Sequence, residues 1–281
     1  MAKTYSHSRL STFEQCKLKF KYHYIDKILP EIEKSIELHL GNCVHKTLEW
    51  IYSQVKEGNL PSIDDIMLNY SRQWKKDYAP GMIIVDNSLT DKDYFNRGIQ
   101  FLLDYYSKHY PFEDGTIELE KEIKVTLDEK GEYEIIGFID RLAKNLQTGE
   151  YEIHDYKTAS SLPTQEKIDN DRQLALYALA VKEIYGEDEE VCLIWHYLAY
   201  NKKICSKRTN EQLQKLKQET LELIKKIEST TEFSSSKGKL CKWCEYKQMC
   251  PEWNICEDNQ KKEPEKIDLN KYPTISKYIK N

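Results

Sequence analysis

The stretch Gly137-Phe138-Ile139-Asp140-Arg141, followed across a short turn by Ile153-His154-Asp155-Tyr156-Lys157, decides how this chain is read. Successive side chains of a strand point to opposite faces, so Asp155 and Lys157 share a face with Tyr151 and Ile153. By the same rule Ile136, Phe138, Asp140 and Leu142 share a face of the preceding strand. Asn145-Leu146-Gln147-Thr148-Gly149 has the composition of a hairpin turn. A turn centred on Gln147 and Thr148 sets Asp140 opposite Asp155, and a slip of one pair keeps Asp140 within reach of Asp155 or Lys157. Two carboxylates facing each other across a ladder repel unless something compensates. Magnesium or manganese, which prefer carboxylate oxygens, would do so. The competing reading is a solvated acidic face on a half-exposed hairpin.

Outward from the hairpin, strands are expected at 117–127, 133–143 and 151–158, an antiparallel meander with turns at 128–131 and 147–149. Helical spacing of Leu40, Val44, Leu48, Ile51 and Val55 predicts a helix over 38–55, and another is expected over 8–27. Residues 62–110 read as helical and aromatic-rich, broken at Pro80-Gly81. A helix over 170–185, a strand over 191–200 turning at Lys202-Lys203 into Ile204-Cys205-Ser206, and a charged helix over 210–229 complete the pattern. The expected architecture is a mixed α/β core in one domain over 1–257. Its helical insertion covers about 58–112, its core about 113–208, its cysteine cluster 241–250, and a polar tail follows at 258–281.

The 281 residues carry a net charge of −5, with 40% hydrophobic and 32% charged residues, enough for a core under a charged surface. No apolar run is long enough to span a membrane, and the polar N-terminus does not read as a secretory signal, so a cytoplasmic location is expected. The acidic balance excludes a polybasic nucleic-acid binder, although two stretches are locally basic. Lys17, Lys19, Lys21 and Lys27 interleave with Phe20, Tyr22 and Tyr24, and Lys202, Lys203, Lys207 and Arg208 form the second. Such mixtures suit single-stranded nucleic acid, or an ordinary solvent-facing surface. No phosphate-binding Gly-x4-Gly-Lys-Ser/Thr loop is present, so the chain holds no recognisable NTPase motor.

Eight cysteines in such a chain suggest metal or redox chemistry rather than a disulfide scaffold. Cys43, Cys192 and Cys205 read as buried or isolated thiols. Cys241, Cys244 and Cys250 have the close spacing of cluster or metal ligands, and the fourth ligand is either Cys16 or Cys256. A site using Cys16 would join the two ends of the chain; one using Cys256 would be a local zinc knuckle. His45, one turn after Gly41, is a further candidate ligand or an ordinary helical histidine. Gln173 and Tyr177 project from one helix face, and Glu118 and Glu120 share a strand face that could reach the same site or water.

In this order the elements Ser11-Thr12-Phe13-Glu14-Gln15-Cys16, Gly41-Asn42-Cys43-Val44-His45, Gly137-Phe138-Ile139-Asp140-Arg141, Asp155-Tyr156-Lys157-Thr158, Gln173-Leu174-Ala175-Leu176-Tyr177 and Cys241, Cys244, Cys250-Pro251 span positions 8 to 251. Together they resemble the RecB-like branch of the PD-(D/E)xK nuclease superfamily. The pattern is similar to stand-alone RecB-family exonucleases, CRISPR-associated RecB-like nucleases and the nuclease domain of AddB. The resemblance implies a restriction-endonuclease-like α/β core with a helical insertion and an iron–sulfur staple between the N- and C-terminal segments. It also implies that His45, Asp140, Asp155 and the Tyr156 carbonyl bind Mg2+ or Mn2+, that Lys157 orients or activates the attacking water, and that Gln173 and Tyr177 position the scissile strand. Glu120 matches an acidic position ahead of the Asp140 strand. Cys16, Cys241, Cys244 and Cys250 would hold a 4Fe–4S cluster, with zinc the other occupant. Ile139 stands where the superfamily's literal motif has proline, and Lys17 follows Cys16 where proline is usual. The expected function is metal-dependent hydrolysis of DNA at single-stranded ends in recombination, repair or a related process, with a helicase, CRISPR or recombination protein as partner. The alternative is an iron–sulfur DNA-binding or assembly subunit with little cleavage of its own.

Overall fold

The computed structural model describes residues 2–30, 35–79, 81–86 and 88–252. Cys256 and the expected polar tail lie outside the described residues. The chain divides into two compact units, Met1–Ile28 with Glu113–Lys237, and Leu29–Phe112 with Gly238–Asn281.

The first unit is built on a six-stranded mixed sheet. Its strands are β1 (Lys3–Ser6), β2 (Thr116–Thr126), β3 (Tyr133–Lys144), β4 (Tyr151–Lys157), β5 (Val191–Tyr197) and β6 (Lys202–Lys207). β2, β3 and β4 form the expected antiparallel meander. β5 then pairs parallel with β4, and β6 closes the edge antiparallel to β5. A parallel pair needs a long crossover; here α6 (Gln165–Asp169) and α7 (Gln173–Tyr185) supply it. β4 and β5 are central strands buried on both faces; β5 reads as a near-continuous apolar run, whereas β4 carries Glu152, His154, Asp155 and Lys157.

α7 is apolar nearly all round, with Leu174 to Val181 buried, and it packs on β2, β4 and β5 while α8 (Asn210–Ser229) packs on it. The core between sheet and helices takes Ile123, Ile135, Ile139, Ile153, Leu174, Leu193 and Trp195, joined by Leu10 and Phe13 of α1 (His7–Gln15). α8 starts where Thr209 and Gln212 cap it reciprocally.

The N-terminal region is more broken than a single helix over 8–27. β1 precedes α1, the backbone extends at Cys16, α2 (Lys17–Phe20) follows, and a π-turn covers Lys21–Ile25. Phe13 and Phe20 still meet edge to face at 5.3 Å, which explains why a helical period was legible across the break.

The second unit is helical: α3 (Ile36–Lys56), α4 (Ile63–Asp77) and α5 (Asp91–His109). Ser62 with Asp65 and Thr90 with Asp93 form capping boxes that fix where α4 and α5 begin. Gly98 of α5 is required by packing, since a methyl there would lie 2.0 Å from the Tyr70 hydroxyl. This unit begins at Leu29 rather than near residue 58, because α3 packs along α4 and α5.

Candidate active site

The ladder between β3 and β4 runs from Lys144↔Tyr151 to Arg141↔His154 and ends there. β1 takes the same edge of β3 only from Tyr133 to Ile136. Between these contacts the sheet forks, and Asp140 and Asp155 are the first residues beyond the last paired rung. The register continues the expected one: the next rung would set Asp140 against Asp155.

A side-chain contact replaces the missing rung. The Tyr156 N–H donates to Asp140 Oδ2 at 2.9 Å. Asp155 is 4% exposed, and Lys157 Nζ meets its Oδ1 at 2.9 Å and Oδ2 at 2.7 Å. Lys157 Nζ also reaches Gln173 Oε1 at 3.3 Å. Gln173 sits there because Asp171 Oδ1 accepts its N–H at 2.9 Å at the start of α7.

Tyr177, one turn later, lies against Gly137. A methyl at Gly137 would stand 2.4 Å from its ring, so the glycine is demanded by close approach. Asp140, Asp155, Lys157, Gln173 and Tyr177 are thus gathered on the α7 side of the fork. His45 is half-buried on α3 of the helical unit.

Strict alternation along β3 fails at this point. Ile135 and Ile139 are in the core and so is Leu142, whereas Ile136 is half-buried and Phe138 is 52% exposed. The expected shared face of Ile136, Phe138, Asp140 and Leu142 is therefore corrected. Opposite the break, Glu120 adopts φ +45° between the pairs Leu119↔Arg141 and Lys121↔Ile139. A left-handed non-glycine residue in mid-strand interrupts the pleat and re-aims its neighbours. Glu120 itself is exposed, and Glu118 pairs with Lys121 at 3.4 Å.

Burial opposes the charge on Lys157, but attraction and hydrogen bonding by Asp155, with Asp140 and Asp171 behind it, outweigh this and hold its ammonium above the usual range. At neutral pH Lys157 is a cation, suited to stabilising charge rather than to taking a proton. Burial raises the Tyr177 hydroxyl despite a hydrogen bond with Gln173, so it is a neutral donor. His7, at the start of α1, is kept neutral chiefly by burial and by the nearby Arg172 charge.

Among the described residues no three His, Cys, Asp or Glu side chains come together in a metal-binding arrangement. Two carboxylates suffice for magnesium, which keeps several waters and takes the rest of its shell from substrate phosphate. The donor set at the fork fits that chemistry.

The cysteines divide differently from expectation. Cys16 caps α2, its Sγ accepting the Lys19 N–H at 3.5 Å, and Cys241 Sγ accepts the Gly238 N–H at 3.2 Å. Cys241, Cys244 and Cys250 follow one another through 3-10 turns, and none of the described cysteines is in a disulfide. Thiols outside any disulfide, with backbone donors on sulfur, are compatible with cluster ligation. Cys192 and Cys205 are not isolated: they hydrogen-bond across β5 and β6, and this bond lowers Cys205 to about 6 while raising Cys192.

Of the second basic stretch, Arg208 is half-buried and donates to the carbonyls of Ile168 and Asp171, so it braces the approach to α7. Sequence reasoning did not assign Asp171, His7 or the side chain of Arg141. The first could have been found as the polar residue just ahead of the Gln173 helix.

No curated protein matches the sequence. Two solved structures are similar over most of the chain. One is SSO0001, with 16% identity, 89% of this chain and 87% of that one covered, and a TM-score of 0.40. The other is a candidate exonuclease from Eubacterium rectale, with 15% identity, 86% of each chain covered and a TM-score of 0.48. The pattern of one nuclease superfamily matches residues 4–251, nearly the whole length, and the chain belongs to the PD-(D/E)XK nuclease superfamily.

Proposed function

We propose that this nuclease is a divalent-metal-dependent exodeoxyribonuclease acting on single-stranded DNA ends. The observation that carries the proposal is the pair Asp140 and Asp155 at the mouth of the β3–β4 fork, with Lys157 bound to Asp155. Asp140, Asp155 and the carbonyl of Tyr156 would hold Mg2+ or Mn2+. When bound, the ion neutralises phosphate charge and lowers the pKa of a water molecule.

The chain's own groups do the rest. Lys157, cationic and fixed by Asp155 and Gln173, would stabilise negative charge growing on the phosphate. The Gln173 amide and the Tyr177 hydroxyl are the neutral donors beside it, suited to orienting a phosphodiester. Cys241, Cys244 and Cys250 are proposed to contribute to a 4Fe–4S cluster, on thiolate chemistry and the family resemblance, with zinc as the alternative occupant. A recombination, repair or CRISPR pathway would supply the DNA end, and a helicase partner any unwinding.

The test is cleavage of end-labelled single-stranded DNA by anaerobically purified protein with Mg2+, Mn2+ or chelator, beside Asp155→Ala. Metal-dependent products absent from the variant support the assignment, and the product ladder separates exonuclease from endonuclease. Binding of DNA by wild type without cleavage, with metal present, would replace it by a binding-subunit role.

A further inference from the structure

Behind the fork, on the face turned away from Gln173, Arg141 is completely buried. Its Nε donates to the Tyr156 hydroxyl at 3.0 Å, one terminal nitrogen to Thr116 Oγ1 at 3.1 Å and Asp114 Oδ2 at 2.6 Å, and the other to His154 Nδ1 at 2.9 Å. Arginine can only donate, so His154 Nδ1 is an acceptor. The imidazole therefore carries its proton on Nε2, which lies 3.2 Å from Glu152 Oε2, and His196 Nε2 approaches the same Nδ1 at 2.9 Å.

A buried arginine with several partners is most often a core staple. Its place in this sheet makes it more. Arg141 follows Asp140 directly, and Tyr156 stands between Asp155 and Lys157. Both belong to the part of the sheet where the β3–β4 ladder has just ended. Beside the Arg141–His154 contact, two bonds from Tyr156 link the strands there. On the front face its N–H holds the Asp140 carboxylate at 2.9 Å; on the back its hydroxyl takes the Arg141 Nε–H at 3.0 Å.

We infer that Arg141, acting through the Tyr156 side chain, is a positioning residue that sets the spacing of Asp140 and Asp155 where the backbone ladder no longer does. This deepens the nuclease reading and rests on it for the ion, but the strap is a property of the sheet. β5 still holds Tyr156 through the β4–β5 ladder, but without the strap the side of Tyr156 that faces β3 is less fixed, its N–H holds the Asp140 carboxylate less firmly, and the separation of the two carboxylates is less well set. Outer partners of metal-binding groups act in this way, and removing them typically weakens metal binding by about 10- to 100-fold.

Three variants separate positioning from general stability: Tyr156→Phe, Arg141→Lys and Thr116→Val. The last removes a different Arg141 bond and leaves the strap intact. Mn2+ affinity is read by electron paramagnetic resonance titration without nucleic acid, and protection of the residue-156 amide by hydrogen exchange. Tyr156→Phe is expected to bind Mn2+ about tenfold more weakly and to lose amide protection. Arg141→Lys, which also loses the bonds to His154, Thr116 and Asp114, should weaken Mn2+ binding at least as much, and adding Tyr156→Phe to it should cost no further affinity because the strap is already cut. Thr116→Val should melt earlier yet keep affinity within about twofold and keep the protection.

If Tyr156→Phe behaves like Thr116→Val, with affinity and protection both retained, the inference is overturned. Should Arg141→Lys not fold, Tyr156→Phe against Thr116→Val still decides. If wild type binds no Mn2+ while the protection pattern appears as expected, the strap stands and the metal-dependent reading falls.

Discussion

Gly137→Ala offers the sharpest perturbation of the site, because it adds one methyl and removes nothing. The new Cβ would stand 2.4 Å from Tyr177 Cε1, 2.6 Å from its hydroxyl oxygen and 2.7 Å from Cζ. Relieving those contacts requires the ring to retreat by about 1 Å, yet Tyr177 is 5% exposed and belongs to the core. Overpacking of this kind costs about 1–3 kcal/mol. For a protein of this size each kcal/mol lowers Tm by about 2–4 °C, so a fall of roughly 2–12 °C is expected by thermal melting. The larger effect falls on turnover. Displacing Tyr177 disturbs Gln173, which is bonded to it and to Lys157, and a 1 Å misplacement of positioning groups can cost on the order of a hundredfold in rate. The control is Gly137→Ala with Tyr177→Ala, which opens the space: its Tm should be no lower than that of Tyr177→Ala alone. A single variant that melts and cuts DNA like wild type, or a double variant whose losses simply add, would show that the ring does not need the glycine.

Asp155→Asn should lower metal-dependent cleavage by about a thousandfold, as expected for losing several kcal/mol of charge stabilisation. In the same variant the Lys157 pKa should fall, because burial then acts without its main opposing partner; amine reactivity against pH would show it. In the wild type the raised Lys157 value stabilises the fold at every pH below the unfolded 10.5, and this contribution fades only as pH climbs through the folded value. Chemical denaturation of Lys157→Met across pH 8 to 11.5 should accordingly show a shallower alkaline decline. Alkylation of Cys205 should be half-maximal below the ordinary thiol range and move upward in Cys192→Ala, where its hydrogen-bond donor is gone; unchanged profiles would dissociate the two thiols. Iron content after anaerobic purification should drop in Cys16→Ala and stay level in Cys256→Ala, whereas the reverse would favour a local knuckle built on Cys256.

The sequence by itself determined the elements whose periodicity is strong and local. α8 begins behind the Thr209 cap and runs from 210 to 229 as its spacing predicts, and the hairpin register followed from turn chemistry and the period of a strand. Strand alternation also put Asp155 with Lys157 and helical spacing put Gln173 with Tyr177, while the family resemblance joined these pairs and Asp140 into one expected site. What only the tertiary structure decided are the places where local rules compete. β1 is four residues long and exists because β3 offers it an edge, while the alternation of β3 breaks at Asp140 because Glu120 on the neighbouring strand turns left-handed. Arg141 reads in sequence as a charged residue after the motif aspartate. Only the fold surrounds it with Tyr156, His154, Thr116 and Asp114, from two other segments of the chain, and a buried guanidinium is held by partners that no local pattern can name.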